Sequence, residues 1–123
     1  MDVQKFAEII LEHEPKIIFV GVVESRADTV LANRIRQGAS LYYPLQYMRD
    51  FLMIGPALAI GALEKLKPAL GAISAVTVRY ERRILLLSRY EDMIVILGFE
   101  ETMPTPFSDS MTKLIQEAAK ESE

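Results

Sequence analysis

The feature that most constrains this chain is a set of three strand-like runs that are apolar at nearly every position. Residues 17–23 read IIFVGVV, residues 84–87 read ILLL and residues 94–97 read IVIL. An antiparallel sheet with one face in water shows alternating polar and apolar residues, and these runs do not alternate. We therefore expect a sheet that is covered on both faces. Exposure of either face would cost several kcal/mol, at roughly 25 cal/mol per Å² of apolar area.

The sequence predicts five strands in two groups. A hairpin comes first. Its first strand, at 16–24, is rich in β-branched and aromatic residues, and its second strand, at 29–33, follows directly after a short turn. A meander follows later, with strands at 73–80, 83–88 and 93–99. Connections this short join antiparallel neighbours, because parallel neighbours need a long crossover.

Three helices complete the predicted order. The first is amphipathic and ends at Pro15. The second runs from about Leu45 to Leu66 and is kinked or split at Gly55-Pro56, since proline removes a backbone donor. The third begins near Thr105-Pro106 and carries an apolar stripe, and its last residues, 120–123, are expected to fray.

The predicted fold class is α+β: a five-stranded antiparallel sheet with helices on both faces, in the order α-β-β-α-β-β-β-α. The economical arrangement places the long central helix on one face and the two terminal helices on the other. We see no internal repeat, linker or low-complexity tract, so residues 1–123 are interpreted as one domain.

Composition narrows the class of protein. Of the 123 residues, 50% are hydrophobic and 25% are charged, which is typical of a globular domain. The absence of cysteine excludes disulfides and thiolate chemistry. No apolar run reaches the roughly 18 residues that span a bilayer, and acidic residues follow Met1 where a signal peptide would be basic. We expect a cytoplasmic protein without membrane contact.

Charge is distributed unevenly along the chain. Residues 26–89 carry ten lysines and arginines against four acidic residues, whereas residues 91–123 carry two against eight. One interpretation is electrostatic complementarity between surfaces, within a dimer or toward a partner. The other is that neighbouring elements neutralise each other within one fold.

The order and hydrophobic profile of these elements resemble the roadblock/dynein light chain superfamily, within the profilin-like architecture. The matching features are the first helix at 3–12, the hairpin at 17–33, the central helix, the meander at 73–99 and the terminal helix from Phe107. The chain departs from the family in its hairpin turn, where Ser25–Asp28 lacks the usual glycine next to acidic residues.

The resemblance implies a homodimer that joins central helices and edge strands into one continuous sheet. It also implies a role as a scaffold or as a regulator of small GTPases and motor complexes. We expect the dimer interface on the central helix, where small residues permit close approach of another element. The residues predicted for it are Phe51, Ala59 and Ala62.

The most informative polar segment is 33–44, which has no clear period and is predicted to be a loop. Arginine and tyrosine together are frequent at interface hot spots. Two alternatives stay open: the tyrosines pack on the sheet edge, or the segment stacks on single-stranded nucleic acid, against which the net charge of -3 argues mildly. The residues predicted for partner contact are Arg34, Arg36, Tyr42, Tyr43 and Arg49.

Catalytic chemistry has little support in the sequence. His13 is the only histidine and lies at a predicted helix end, where a cation suits the helix dipole. There is no Walker-type phosphate loop, and Gly55–Ala59 is better explained as a helix kink than as an anion site. The acidic pairs Glu91-Asp92 and Glu100-Glu101 fit solvated turns. We expect no enzyme activity, no cofactor and no metal.

These observations lead to three functional hypotheses. The first is a non-catalytic dimeric protein-interaction module, with a small GTPase as one class of partner. The second is a small-ligand sensor, because several regulatory domains wrap an antiparallel sheet with helices around a pocket. The third is single-stranded nucleic-acid binding through the arginine and tyrosine segment.

Overall fold

The structure is a computed structural model of the chain, and it describes residues 1–24, 29–39, 47, 53–100 and 108–123. Within these ranges, five strands form one antiparallel sheet. The strands are β1 (Ile17–Glu24), β2 (Val30–Ile35), β3 (Val76–Arg79), β4 (Ile84–Tyr90) and β5 (Met93–Phe99). The helical segments are α1 (Val3–His13), α2 (Gly55–Leu63), a 3₁₀ turn (Glu64–Leu66), α3 (Lys67–Leu70) and α4 (Ser108–Glu121).

The order of strands across the sheet is β2-β1-β5-β4-β3, and every neighbouring pair is antiparallel. The three runs that are apolar throughout form the interior strands β1, β5 and β4, while the less apolar β2 and β3 form the edges. Each residue of β5 is buried. The predicted α+β class and the antiparallel five-stranded sheet are confirmed.

Helices cover both faces of the sheet, as predicted. One apolar cluster joins the sheet to α1 and α4 and includes Phe6, Ile10 and Ile115. The other joins the sheet to the start of the central helical segment and includes Met53 and Ile60. This double cover explains why the interior strands can be apolar at consecutive positions.

A local irregularity in β1 reinforces this arrangement. The pairing of β1 with β5 shifts between Ile17 and Phe19. Ile18 and Phe19 consequently both belong to the cluster under α2, whereas Ile17 and Val20 belong to the cluster under α1 and α4. Such a bulge interrupts the strict alternation of a strand.

Two strand ends differ from the prediction. β2 continues to Ile35, beyond the predicted end at Asn33, because its pairing with β1 continues to Phe19. Arg34 therefore lies in a strand and not in a loop. β3 begins at Val76, three residues later than predicted.

The turn after β4 is also shorter than predicted. β4 extends to Tyr90, which pairs with Met93 at the start of β5. Only Glu91 and Asp92 remain for the turn, and Glu91 has a φ of 51°. Two-residue hairpin turns require positive φ, since their twist must match that of the strands.

The central helical segment extends further than predicted. Beyond Leu66 it continues through α3 and ends at Gly71. The φ of Gly71 is 85°, a conformation that glycine commonly adopts at a helix terminus. Pro56 lies in the first turn of α2, and the two residues directly before α2, Met53 and Ile54, are π-helical, an irregularity that commonly accompanies a helix kink. The predicted part of this helix between 45 and 52 lies outside the described residues, apart from Tyr47.

The predicted fraying of residues 120–123 is wrong for all but the last residue. α4 continues to Glu121, and Ser122 is buried. The backbone N–H of Asp2 donates to the carbonyl of Ser122 at 2.9 Å, which ties the two chain ends together. The predicted helix start at 105–106 lies outside the described residues.

None of the helices in the described ranges is both long enough and apolar enough to cross a membrane.

Candidate protein-interaction surface

The segment from α2 to α3 exposes four leucines. Leu58, Leu63, Leu66 and Leu70 are 57%, 47%, 54% and 77% exposed, respectively, and we refer to them as the leucine surface. A helix that is apolar all round is normally buried. A contiguous apolar patch on a surface commonly marks a site of contact with another molecule.

The two alanines predicted for a dimer interface lie on the same helix. Ala59 and Ala62 are both exposed, among the residues of the leucine surface. Small side chains allow two helices to approach closely, because the distance between helix axes depends on the side chains at the contact. Phe51, the third residue of that prediction, lies outside the described residues.

An open groove connects the leucine surface to the edge of the sheet. Its volume is about 270 Å³, and most of its lining is apolar. The helical wall is Leu63, Leu66 and Leu70, and the opposite wall is Gly71, Ile73, Ala75 and Val76. The groove therefore runs alongside β3, the strand at that edge.

β3 presents backbone groups to the outside. Antiparallel strands direct alternate residues toward their neighbour, and the N–H of Tyr80 donates to the carbonyl of Arg83 at 2.8 Å. With the β3–β4 register, this bond orients Val76 and Val78 toward β4. The N–H and C=O groups that point away from β4 are those of Ala75, Thr77 and Arg79.

The opposite edge, β2, is protected. Its pairing with β1 contains a bulge at Leu31, and the side chain of Gln4 in α1 donates to the Leu31 carbonyl at 3.2 Å. Glu8, one turn further along α1, pairs with Arg34 at 3.2 Å. Bulges and charged side chains discourage strand pairing at an edge, so among the described residues β3 is the more open of the two edges.

Arg34 and the other predicted partner residues are therefore placed as follows. Arg34 lies in β2, and its ion pair with Glu8 is half exposed. Tyr42, Tyr43 and Arg49 lie outside the described residues. Their contact with a partner stays a prediction.

Arg36 is held by its own chain. Its guanidinium donates to the carbonyls of Leu11 at 2.6 Å, Glu14 at 3.0 Å and Ile17 at 2.8 Å. It thus satisfies carbonyls at the end of α1 that have no helical partner. The sequence could not reveal this role, because the partners lie 19 to 25 residues away along the chain.

The fold of this chain resembles that of several solved structures. No protein-family model matches the chain, and the search of curated proteins finds no match. Solved structures do match: MglB of Myxococcus xanthus (TM-score 0.70, 10% identity) covers 98% of this chain and 96% of its own. The chain has a roadblock-like fold.

Two further structures support this assignment. A Roadblock/LC7 domain from Streptomyces avermitilis has a TM-score of 0.68 at 9% identity, with 98% of this chain and 92% of that chain covered. The gliding protein MglB from Thermus thermophilus has a TM-score of 0.62 at 21% identity, with 94% and 87% covered. At these identities the likeness concerns the fold.

Within this roadblock-like fold, charges cluster around the leucine surface. Lys65 and Lys67 are exposed in the same segment. Glu64 forms an ion pair with Arg89 of β4, which attaches the end of α2 to the sheet. The surface is thus an apolar patch with a basic rim.

Part of the uneven charge along the chain is neutralised within the fold. Arg34 pairs with Glu8 of the acidic N-terminal segment, and Arg83 pairs with Glu100 of the acidic C-terminal segment at 3.7 Å. The exposed lysines of the central segment are outside these pairs. Neutralisation within the fold therefore accounts for part of the charge pattern, and complementarity toward a partner stays a prediction.

His13 occupies the last turn of α1, as expected from the sequence. Its Nε2 lies 3.4 Å from a carboxylate oxygen of Glu121, and both side chains are about half exposed. Across the described ranges, no three histidine, cysteine or acidic side chains come together as a metal site. Glu91 and Asp92 are exposed in their turn.

Proposed function

We propose that the chain is a non-catalytic protein-interaction module that acts as a homodimer. The observation that carries this proposal is the leucine surface, which lies next to the open edge of β3. A two-fold axis beside that edge would bring both helices and both strands of two copies together. Such an interface is self-complementary, because each copy contributes the same patch.

The outward groups of β3 favour one alignment of the two strands. With the axis at Thr77, Thr77 faces its own copy, and Ala75 faces Arg79 of the second copy. All three outward-facing residues then have partners. The paired threonines interact favourably across the strands, whereas an axis at Arg79 would place two like charges opposite each other.

The groove beside β3 fits the same arrangement. Ligand sites that hold small molecules enclose most of the ligand and contain a few convergent polar groups. This groove is open and mostly apolar, and it is continuous with exposed leucines. Apolar side chains of a second copy suit it better than a metabolite does. A metabolite retained in native mass spectrometry would favour the sensor alternative.

We further propose that the dimer serves as a scaffold or regulator of a small GTPase. The support for this partner class is the roadblock-like fold, together with the structural likeness to gliding proteins. Nucleic-acid binding has less support, because the guanidinium groups of Arg34 and Arg36 both bind groups of their own chain.

The dimer is tested by analytical ultracentrifugation of the wild type, Leu66→Glu and Leu31→Glu. Leu66 lies on the leucine surface, and Leu31 is an exposed leucine on the opposite edge. We expect a wild-type dimer, a monomeric Leu66→Glu variant and a dimeric Leu31→Glu variant. A wild type that stays monomeric at micromolar concentration would contradict the proposal, as would equal dissociation of both variants.

The partner class needs a separate experiment. Affinity purification from the source cell, followed by identification of the bound proteins, should return a small GTPase. Surface plasmon resonance with that purified GTPase, loaded with GDP or with a GTP analogue, should show direct binding that depends on the nucleotide. The absence of any small GTPase among the partners would refute this part while leaving the dimer intact.

A further inference from the structure

Gly21 occupies the middle of β1, where every other residue from 17 to 23 is large and apolar. Glycine weakens a strand and often marks a place where another group approaches closely. A Cβ at Gly21 would lie 2.7 Å from Sδ of Met53 and 2.9 Å from Cζ of Phe19. Cβ contacts this short are essentially absent from proteins, so a larger residue at Gly21 would force the side chains of Met53 and Phe19 to shift.

Met53 lies directly before α2, where the backbone of Met53 and Ile54 is π-helical. Its side chain is fully buried. Among the described residues, the central helical segment contributes only Met53, Ala57 and Ile60 to the apolar cluster on its side of the sheet. Met53 is the first of these three residues along the chain and lies directly before α2.

Phe19 completes the site. It pairs with Gly98 of β5, and a Cβ at Gly98 would lie 3.2 Å from Cβ and Cδ1 of Phe19. The ring of Phe19 therefore extends from Gly98 to Gly21, and it forms one wall of the space that Met53 fills. We call Gly21, Phe19 and Gly98 the Met53 socket.

The other end of α2 has a different attachment. Glu64 pairs there with Arg89 of β4. The helix is thus fixed at its start by an apolar contact and at its end by an ion pair. Leu58 and Leu63 of the leucine surface lie between these two points, and Leu66 and Leu70 follow Glu64.

We propose that Met53 and Gly21 are positioning residues for the interaction surface. Their contact sets the depth and rotation of α2 on the sheet, and so the place of the leucine surface relative to β3. The inference rests on the proposed dimer, in which helix and strand must meet the second copy at the same time. An interface built from two elements binds tightly only if their relative position is set beforehand.

The test is a double-mutant cycle with Gly21→Ala, Met53→Ala and both together. Gly21→Ala should raise the dimer dissociation constant about tenfold or more, because Met53 must leave the socket. Once Met53→Ala has emptied the socket, adding Gly21→Ala should have little further effect. Leu31→Ala is the control, since Leu31 is exposed on the opposite edge of the sheet. It should leave the dissociation constant unchanged.

Hydrogen exchange provides a readout that is independent of assembly. In Gly21→Ala, amides of α2 should exchange faster while amides of α1 keep their wild-type rates. Additive effects of the two substitutions on dimer affinity, or uniform acceleration of exchange throughout the chain, would overturn the inference. If Gly21→Ala does not fold, Met53→Ala alone must still accelerate exchange in α2 and not in α1.

Failure of the inference and failure of the proposed dimer give different results. A monomeric wild type whose α2 responds selectively to Gly21→Ala would refute the dimer and retain the socket. If the wild type is dimeric and Gly21→Ala changes neither the dimer dissociation constant nor the exchange rates of α2 amides, the role of the Met53 socket is refuted and the dimer is retained.

Discussion

The two faces of the sheet differ in how completely their helices are used. On one face, α1 buries Phe6, Ala7, Ile9 and Ile10, and α4 adds its own apolar stripe. On the other face, the described part of the central helical segment buries little and leaves the leucine surface exposed. The apolar side chains of α1 and α4 are buried in the core of their own chain. The other layer has apolar area left for a second molecule.

The two edges of the sheet differ in the same sense. α1 covers β2 with the side chains of Gln4 and Glu8. β3 lies next to the exposed leucines, and the backbone groups of Thr77 and Arg79 point outward from it. The open face and the open edge therefore adjoin each other, which is what a two-element interface requires.

The largest effect should come from breaking the core on the α1 and α4 face. Phe6→Ala should lower the free energy of unfolding by about 3–5 kcal/mol, because Phe6 is fully buried and its removal leaves a cavity. Urea denaturation measures this loss. Leu70→Ala, studied in the monomeric Leu66→Glu background, should change the same quantity by less than about 0.5 kcal/mol. Equal losses would remove the contrast between the faces.

The next effect concerns Arg36. Arg36→Ala should destabilise the chain by about 1.5–3 kcal/mol, since hydrogen bonds from a charged group are strong and three carbonyls each lose one. Urea denaturation of the Leu66→Glu variant, with and without Arg36→Ala, measures this difference in the free energy of unfolding. Retention of full stability would show that the end of α1 does not depend on Arg36.

The contrast between the edges is tested by proline. Thr77→Pro should weaken the dimer by about 2 kcal/mol, because each copy loses an intermolecular hydrogen bond of about 1 kcal/mol. Asn33→Pro is the matched control, since the bond from the Arg36 N–H to the Ile18 carbonyl orients Asn33 away from β1. Sedimentation equilibrium should show a change for the first variant only. A comparable loss of dimer affinity with Asn33→Pro would show that the interface is not confined to the β3 edge.

The smallest effect belongs to Arg34. Its ion pair with Glu8 is half exposed, and exposed pairs contribute about 0–1 kcal/mol. Arg34→Ala should therefore leave both stability and dimer affinity close to those of the wild type. If it abolishes binding of a GTPase while the dimer persists, Arg34 is part of the partner site.

Much of the fold follows from local patterns in the sequence. Consecutive apolar residues such as Ile94–Leu97 demand cover on both faces, and short turns demand antiparallel neighbours. These inferences need no knowledge of distant residues, and they proved correct. The pattern also placed Ala59 and Ala62 on the central helix, where both are exposed.

What the sequence did not reveal depends on contacts between distant segments. The role of Arg36 requires that β2 lie beside the end of α1. Ser122 is buried, and its carbonyl accepts the N–H of Asp2 from the other end of the chain. The reason for glycine at position 21 is the side chain of Met53. The spacing of apolar residues within one segment does not indicate which distant residues that segment contacts.

Cysteine cross-linking at the β3 edge tests the central claim most directly. The natural chain contains no cysteine, so Thr77→Cys and Asn33→Cys each introduce a single thiol. If the two-fold axis passes through Thr77, the paired Cα atoms lie about 5.5 Å apart, within the range that a disulfide spans. Mild oxidation should then yield a covalent dimer of Thr77→Cys and a monomer of Asn33→Cys. A dimeric protein that cross-links through position 33 and not through position 77 would contradict the account.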